Sequence, residues 1–101
     1  MSEFLVTNNQ TAKRFELTVD GETAELVYWL QPDSISFVHT GVPEKLRGHG
    51  IAQKLAVAGL EFARETKLTV VPLCPFVAEY IKRHPEYLDI VREDHRARIS
   101  E

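Results

Sequence analysis

The segment KLRGHGIAQKL, residues 45–55, places two glycines around a histidine, with basic residues on both sides. An apolar pattern with helical spacing begins there, so the segment is expected to open a helix. The first turn of a helix carries unpaired N–H groups and the positive end of the helix dipole. Glycine lets a large anion approach the backbone, and Arg47 with Lys45 or Lys54 adds positive charge. The pattern therefore predicts either an anion site or simply a tight turn between a strand and a helix.

Cys74 and His39 are the two side chains best placed for catalysis. Cys74 is the single cysteine, and it stands between a β-branched run and Pro75, a residue typical of a first helical position. A helix N-terminus favours a thiolate, although a free cysteine is most often a small buried hydrophobe. His39 ends another predicted strand and is either a satisfied core residue or a base. Neighbouring parallel strands end at one edge of a sheet, so the pair is expected to meet, activate the thiol and accept a proton from an amine.

The elements that position these residues follow from the apolar spacing. Residues 14–19, 23–30 and 34–40 alternate like half-buried strands, and Ile35, Phe37 and His39 are expected on one face. Asp20-Gly21 is a strong hairpin signal between the first two of them. From Gly48 to about residue 66 the apolar steps of three and four predict a helix. The remaining predictions are a strand within residues 3–8, a strand at 68–72, a helix at 75–84, a strand at 87–91 and a polar tail from about residue 92.

This order predicts a single α+β domain with an α/β-like part over residues 1–101. An antiparallel meander leads into a strand, a long helix and a further strand, and a crossover of that length makes the two flanking strands parallel. The helix at 75–84 follows. A chain of 101 residues with 44% hydrophobic content has enough apolar side chains for one core.

Composition excludes several classes of function. Twelve basic against fifteen acidic residues leave a net charge of −3, which disfavours a protein whose main partner is nucleic acid. A lone cysteine forms no internal disulfide, and neither a secretory signal nor an apolar run of about 20 residues is visible. The four histidines lack the spacing of a metal site. We therefore expect a cytoplasmic protein without a metal or a membrane partner.

The loop pattern resembles a known cofactor-binding loop. It lacks the lysine motif of a P-loop, and Gln53 stands where a dinucleotide fingerprint would need its third glycine. The pattern [Q/R]-x-x-G-x-[G/A], matched by Arg47, Gly50 and Ala52, resembles the acetyl-CoA pyrophosphate loop of the GNAT N-acetyltransferase superfamily. HT, R-G-x-G-I-A, P-x-C-x-F and K-x-H-P-E-Y follow in an order that resembles the small YjdJ-type branch with one active-site cysteine.

The resemblance implies a reduced GNAT fold in which the strands at 34–40 and 68–72 splay apart around the pantetheine arm of acetyl-CoA. It implies transfer of an acetyl group to an amine, either by direct attack on the thioester or through an acetyl-Cys74 intermediate. A protein that only binds coenzyme A, or a purely structural domain, is the alternative. Nothing in the sequence selects the acceptor or the oligomeric state. The implied catalytic residues are Cys74 and His39, and the implied cofactor-binding residues are Thr40, Gly41, Val42, Arg47, Gly48, His49, Gly50, Ile51 and Ala52.

Overall fold

The computed structural model describes residues 5–100, Ser100 through its backbone only. One five-stranded sheet has the order β1-β2-β3-β4-β5, and three α-helices and two short 3₁₀ helices accompany it. The predicted α+β architecture is confirmed. The strands are β1 Thr7–Asn9, β2 Arg14–Val19, β3 Glu22–Leu30, β4 Ser34–Gly41 and β5 Thr69–Pro72; the α-helices are α1 Ile51–Thr66, α2 Pro75–Arg83 and α3 Glu93–Ser100; the 3₁₀ helices are Glu44–Leu46 and Pro85–Ile90.

Strands β1 to β4 form the predicted antiparallel meander. Asp20 and Gly21 both have positive φ, at 50° and 80°, which matches the twist of a tight hairpin between β2 and β3. The N-terminal strand predicted within residues 3–8 is found at Thr7–Asn9, and residues 3 and 4 lie outside the described part of the chain. β5 pairs with β4 in parallel, as the crossover through α1 requires.

Helix α1 covers one face of the sheet, here called the inner face. Gly59 allows the close approach, because a Cβ added there would lie 2.7 Å from Cε1 of Phe37 and 3.1 Å from Cδ2 of Leu26. Phe15 joins this core, with its ring 5.3 Å from that of Tyr28. The inner face is lined by the buried side chains Phe15, Leu17, Ala24, Leu26, Tyr28, Ile35 and Phe37.

The strand predicted at 87–91 is wrong. Residues 85–90 form a 3₁₀ helix, and only Val91 reaches the sheet, through a single parallel bridge to Val70. The Arg64 guanidinium holds this turn, since its Nη2 donates to the Glu86 carbonyl at 3.0 Å and to Asp89 Oδ1 at 3.1 Å. Three residues of extended strand span about 10 Å, too far for one guanidinium nitrogen to bind both oxygens.

The predicted polar tail also needs correction. Glu93–Ser100 form helix α3, which contacts α2 and buries Ile99. The segment has little apolar periodicity, so its helical state depends on this packing and on Val70, whose carbonyl accepts the Arg92 N–H at 2.9 Å. Within residues 5–100 none of the helices combines the length and apolar character needed to cross a bilayer.

Candidate active site

The two parallel strands separate at their carboxyl ends. Their pairing ends at Phe37 and Pro72, and the chain then turns so that the Cys74 N–H donates to the Phe37 carbonyl at 2.8 Å. Strand β4 continues for four more residues, 38–41, which have no β5 partner in the described sheet, and residues 39–41 of this stretch pair with β3. This opening between β4 and β5 lies where parallel strands usually bind ligands.

A β-bulge in β4 changes the direction of the predicted histidine. Val27 of β3 pairs with His39, whereas Tyr28 pairs with Phe37, so Val38 is an extra residue in β4. One extra residue reverses the alternation that follows it. His39 consequently lies on the outer face, opposite α1. The expectation that Ile35, Phe37 and His39 share a face is therefore wrong.

His39 is surrounded by charged groups of the outer face rather than by the cysteine. Its side chain is 61% exposed, and Nε2 lies 3.8 Å from Glu25 Oε2. Glu25 also accepts a hydrogen bond from Arg14 at 2.7 Å, and Arg14 binds Glu16 as well. The imidazole covers Gly41 so closely that an added Cβ would lie 3.1 Å from Nε2. The structure thus joins His39 to Glu25 and not to Cys74.

Thr40 is the residue that meets the cysteine. It pairs with Leu26, whose side chain belongs to the inner face, and its Oγ1 lies 3.1 Å from Cys74 Sγ. Cys74 is the N-cap residue of α2, and only 3% of its surface is exposed. Pro75 occupies the first turn of α2, as predicted, and that turn contains no acidic residue. The sulfur therefore combines a hydroxyl partner with the positive end of a helix.

The loop before α1, residues 47–52 and here called the glycine loop, has the properties of an anion site. Gly48 and Gly50 have φ of 85° and 71°, a backbone conformation that residues other than glycine rarely adopt. An added Cβ meets nothing within 4 Å at Gly48 and only a Gln53 oxygen at 3.7 Å at Gly50. Because Gly50 as N-cap provides no side-chain cap and the first turn of α1 has no acidic residue, the helix start stays suited to an anion.

The glycine loop lines a groove that runs between α1 and α2. A cavity of about 230 Å³ at its start is closed on the α2 side by Phe76. Gly50 and Gln53 are shared with a larger neighbouring cavity of about 580 Å³ that reaches Tyr80, His49 and Lys54. We call this continuous space the α1–α2 groove. Its first cavity is lined by Val42, Leu46, Arg47, Gly48, Gly50, Ile51, Ala52, Gln53 and Phe76.

The predicted cofactor-binding residues thus fall into two groups. Seven of them line the α1–α2 groove, whereas Thr40 and Gly41 belong to the free end of β4. Arg47 also braces the loop, since its Nε donates to the Val42 carbonyl at 3.4 Å. The groove-lining residues are Val42, Arg47, Gly48, His49, Gly50, Ile51 and Ala52.

Three contributors to the site went unnoticed in the sequence. Thr40 is predicted from the sequence as a cofactor-binding residue, but the contact of its hydroxyl with Cys74 is not. Phe76 and Tyr80 share one face of the predicted second helix, which is most simply interpreted as a core face, but both line the groove, and the Tyr80 ring stacks on the His84 ring at 4.0 Å. Their spacing of four residues does indicate a shared helix face, and only the position of α1 shows which cavity that face borders. Among residues 5–99, no group of three His, Cys, Asp or Glu side chains could hold a metal ion.

Comparison with known proteins adds independent evidence. Protein NATD1 of Xenopus tropicalis is 30% identical over 93 residues, covering 87% of this chain and 85% of that protein. Human NATD1 is 32% identical over 89 residues, covering 83% and 79%. The NMR solution structure of a GCN5-like protein from Staphylococcus aureus superposes with a TM-score of 0.69 at 28% identity, covering 91% of each chain.

The sequence profile that matches this chain covers β2 through the second 3₁₀ helix. It is described as GCN5-related N-acetyl-transferase, and it aligns with residues 14–90, which include the free end of β4, the glycine loop and Cys74. The match thus spans every part of the site described above. The chain therefore belongs to the GCN5-related N-acetyltransferase family.

Proposed function

We propose that the protein transfers an acetyl group from acetyl-CoA to an amine and that Cys74 carries the acetyl group on the way. The observation that supports this most strongly is the position of the Cys74 sulfur. It lies 3.1 Å from the Thr40 hydroxyl, at the point where β4 and β5 stop pairing. A cysteine at the N-terminus of a helix, next to the carboxyl ends of two separating parallel strands, is suited to covalent acyl transfer, because the positive end of the helix favours the thiolate.

The donor is held, in this proposal, by the glycine loop and the free edge of β4. The amides that open α1 and the Arg47 guanidinium bind the diphosphate, because both offer N–H donors and positive charge. Residues 38–41 have an unpaired edge toward β5, so the pantetheine arm binds their backbone as an added strand would. The thioester then faces the opening in which Cys74 and Thr40 meet.

The reaction has two balanced steps. The Cys74 sulfur attacks the thioester carbonyl, a new S–C bond forms, the S–C bond of the donor breaks, and the cysteine proton ends on the departing thiol. An amine then attacks the acetyl-cysteine, its nitrogen acquires the acetyl group, the S–C bond between the acetyl group and Cys74 breaks, and the proton that the amine loses returns to the Cys74 sulfur. The Thr40 hydroxyl donates to the sulfur while it is negatively charged, in both steps.

In this proposal His39 does not activate the Cys74 thiol, because it lies beside Glu25 and not beside Cys74. We propose that, before the attack, it accepts the extra proton of an amine that arrives as an ammonium ion, since its ring is largely exposed on the outer face and Glu25 lies 3.8 Å away. The same position serves a direct attack of the amine on bound acetyl-CoA. Loss of His39 should therefore slow the transfer to an amine without preventing acetylation of Cys74.

The deciding experiment mixes the protein with acetyl-CoA in the absence of any amine. Intact-mass spectrometry should show one added acetyl group, and Cys74→Ala should abolish it. An unmodified wild-type protein that nevertheless acetylates amines would show that the amine attacks the donor directly. His39→Gln serves as the matched variant, since it should keep the acetyl adduct and lose turnover.

A protein that binds coenzyme A without turnover is the second candidate. The burial of Cys74, with 3% of its surface exposed, supports it, because a sealed thiol does not react. Calorimetry with coenzyme A and a thiol-release assay with acetyl-CoA separate the two functions. Tight binding without thiol release, with or without a panel of amines, would establish the binding function and exclude acetyl transfer.

A further inference from the structure

A second cavity lies on the opposite side of α2 from the α1–α2 groove. It has a volume of about 390 Å³, within the usual range of small-molecule sites. Helix α3 forms its far wall through His95, Arg98 and Ile99. We call this cavity the α2–α3 cleft.

Helix α2 separates the two spaces by its side-chain spacing. Phe76 and Tyr80 line the α1–α2 groove, and Val77 and Ile81 are buried in the core. The remaining face carries residues at steps of three and four and lines the α2–α3 cleft. That face consists of Pro75, Ala78, Glu79 and Lys82.

The cleft reaches the residues on both sides of the cysteine. Leu73 and Pro75 line it, and Leu73 keeps 49% of its surface exposed, so apolar surface is accessible there to a ligand. Cys74 itself points the other way, to Thr40 on β4. The segment 73–75 is thus shared between the opening at which acetyl-CoA is proposed to end and a cleft to which no role has been assigned.

The charges in the cleft favour an anion, although the whole protein has a net charge of −3. Glu79 is the acidic residue of the lining, and its carboxylate is paired with Arg83 Nε at 3.2 Å. Lys82 and Arg98 have no ion-pair partner among residues 5–99. The lining of the cleft therefore combines apolar side chains with two cationic groups.

We propose that the α2–α3 cleft binds the acceptor and that the acceptor is an amine with an anionic group, a carboxylate or a phosphate, at its other end. This inference rests on the proposed acetyl transfer. The anion binds Lys82 and Arg98, the chain lies on Leu73 and Ile99, and the amine reaches the opening beside Cys74. Lys82 lies eight residues after Cys74, about 12 Å along the helix axis, and its stem points back toward the helix N-terminus, which suits a linker of about five carbons.

The test titrates the full-length ¹⁵N-labelled chain with 6-aminohexanoate, 6-aminohexyl phosphate and hexylamine, in the absence of acetyl-CoA. The two anionic amines should shift the amide signals of Ala78, Lys82 and Ile99, at concentrations about tenfold below those hexylamine needs. Comparison of the affinities for 6-aminohexanoate and 6-aminohexyl phosphate identifies the preferred anion. Equal shifts by hexylamine, or shifts confined to other parts of the protein, would overturn the proposal.

Variants make the test specific. Lys82→Gln with Arg98→Gln should weaken binding of the anionic amines about three- to tenfold, which corresponds to the modest strength of exposed ion pairs. Lys67→Gln removes a charge from the far end of α1 and should leave binding unchanged. Wild-type affinity in the double variant would contradict the assignment.

The design also separates this inference from the proposed function. Binding of an anionic amine is measured without a donor, so it stands even if Cys74 is never acetylated. Conversely, if the cleft has no role, the double variant should still form acetyl-Cys74 and should transfer it to 6-aminohexanoate as fast as the wild type does. That result would leave the acetyl transfer intact and remove the acceptor assignment alone.

Discussion

The Thr40 hydroxyl lies 3.1 Å from the Cys74 sulfur, and its contribution to the proposed acetylation of that sulfur can be measured. Cys74 is almost fully buried, so water cannot replace a lost partner at the sulfur. A charged sulfur in such surroundings needs a hydrogen-bond donor more than a neutral thiol does. The contact at 3.1 Å should therefore affect the reaction more than it affects the stability of the fold.

Thr40→Val should slow the acetylation of Cys74 about ten- to a hundredfold, because it removes a hydrogen bond to the charged sulfur and a bond of this kind contributes about 1.5–3 kcal/mol. Valine keeps the shape of threonine, so the free energy of unfolding should change by no more than about 1 kcal/mol. The measurement is the rate at which the acetylated mass appears after mixing with acetyl-CoA. Thr40→Ser retains the hydroxyl and should react nearly as fast as the wild type, and equal rates for valine and threonine would show that the hydroxyl has no part in the step.

For His39 the sequence predicts the position of the residue but not the direction of its side chain. Its position at the carboxyl end of β4 was predicted, because a run of alternating residues ends there. Its direction was not, since the alternation gives no sign that Val38 is an extra residue. A bulge depends on the pairing with β3, and pairing registers are set by two strands together. The same bulge reverses the direction of the Thr40 side chain, which therefore points toward Cys74.

At the scale of the elements, the packing of α1 against the sheet depends on the absence of a side chain at Gly59. Alanine favours a helix over glycine by about 1 kcal/mol, so Gly59→Ala would stabilise a free helix. Here the added Cβ would lie 2.7 Å from the Phe37 ring and 3.1 Å from Leu26, and overpacking of this kind costs about 1–3 kcal/mol or more. We expect a net loss of about 1–2 kcal/mol.

Urea denaturation of Gly59→Ala checks this expectation. Glu65→Ala is the matched control, because it lies on the exposed side of the same helix and should change the free energy of unfolding by less than about 0.5 kcal/mol. A Gly59→Ala variant as stable as the wild type would mean that Phe37 can move aside at little cost. Phe37 is fully buried, which opposes such a movement.

The 3₁₀ helix Pro85–Ile90 depends on Tyr87, which makes its stability sensitive to alkaline pH. The Tyr87 hydroxyl donates to Glu61 Oε2 at 2.8 Å, and burial, followed by that hydrogen bond, raises its pKa to about 12. The unfolded chain loses this proton near pH 10. Between pH 10 and pH 12 the unfolded state therefore binds fewer protons than the folded state, and stability falls as the pH rises.

Tyr87→Phe should cost about 1 kcal/mol at pH 8, because one hydrogen bond is lost. The free energy of unfolding of the wild type should fall toward that of Tyr87→Phe by about 1 kcal/mol between pH 9 and pH 11, because the phenylalanine variant has no phenolic proton to lose. Urea denaturation at both pH values gives the two differences. A constant difference would show that the pKa of Tyr87 is the same in the folded and unfolded chains.

The elements also differ in how well the sequence predicts them. Strands β2, β3 and β4 and helix α1 were placed within three residues, because each has its own apolar periodicity. The second 3₁₀ helix and α3 have little apolar periodicity of their own. The segment 85–90 takes its shape from Arg64 and Tyr87, and α3 depends on the burial of Ile99 against the rest of the protein. Elements held by distant contacts rather than by their own pattern are the ones that local reasoning misses.

At the scale of the whole molecule, α2 lies between two cavities whose lining residues differ in chemistry. The α1–α2 groove contains the glycine loop, and the α2–α3 cleft contains Lys82 and Arg98. Both are lined by residues close in sequence to Cys74, the N-cap residue of α2: Phe76 lines the groove, and Leu73 and Pro75 line the cleft. In so small a protein a bound ligand contacts a large share of the structure, and any ligand specific to the native state stabilises it.

This linkage gives a test in which stability and binding move in opposite directions. Ala52 lies in the first turn of α1 and lines the groove. An acidic side chain there favours the helix dipole by about 0.3–1 kcal/mol, so Ala52→Asp should raise the melting temperature of the free protein by a few degrees. The same carboxylate repels a diphosphate, so the variant should lose its affinity for coenzyme A.

Thermal melts with and without coenzyme A measure both effects at once. A ligand at about one hundred times its dissociation constant adds about 2.7 kcal/mol, which should raise the wild-type melting temperature by about 10 °C. Ala52→Asp should show almost none of this increase, whereas Ala52→Asn, of the same shape without the charge, should keep most of it. An aspartate variant that is stabilised by coenzyme A as strongly as the wild type would place the diphosphate away from the start of α1, because a fixed negative charge at that site must weaken the binding of another.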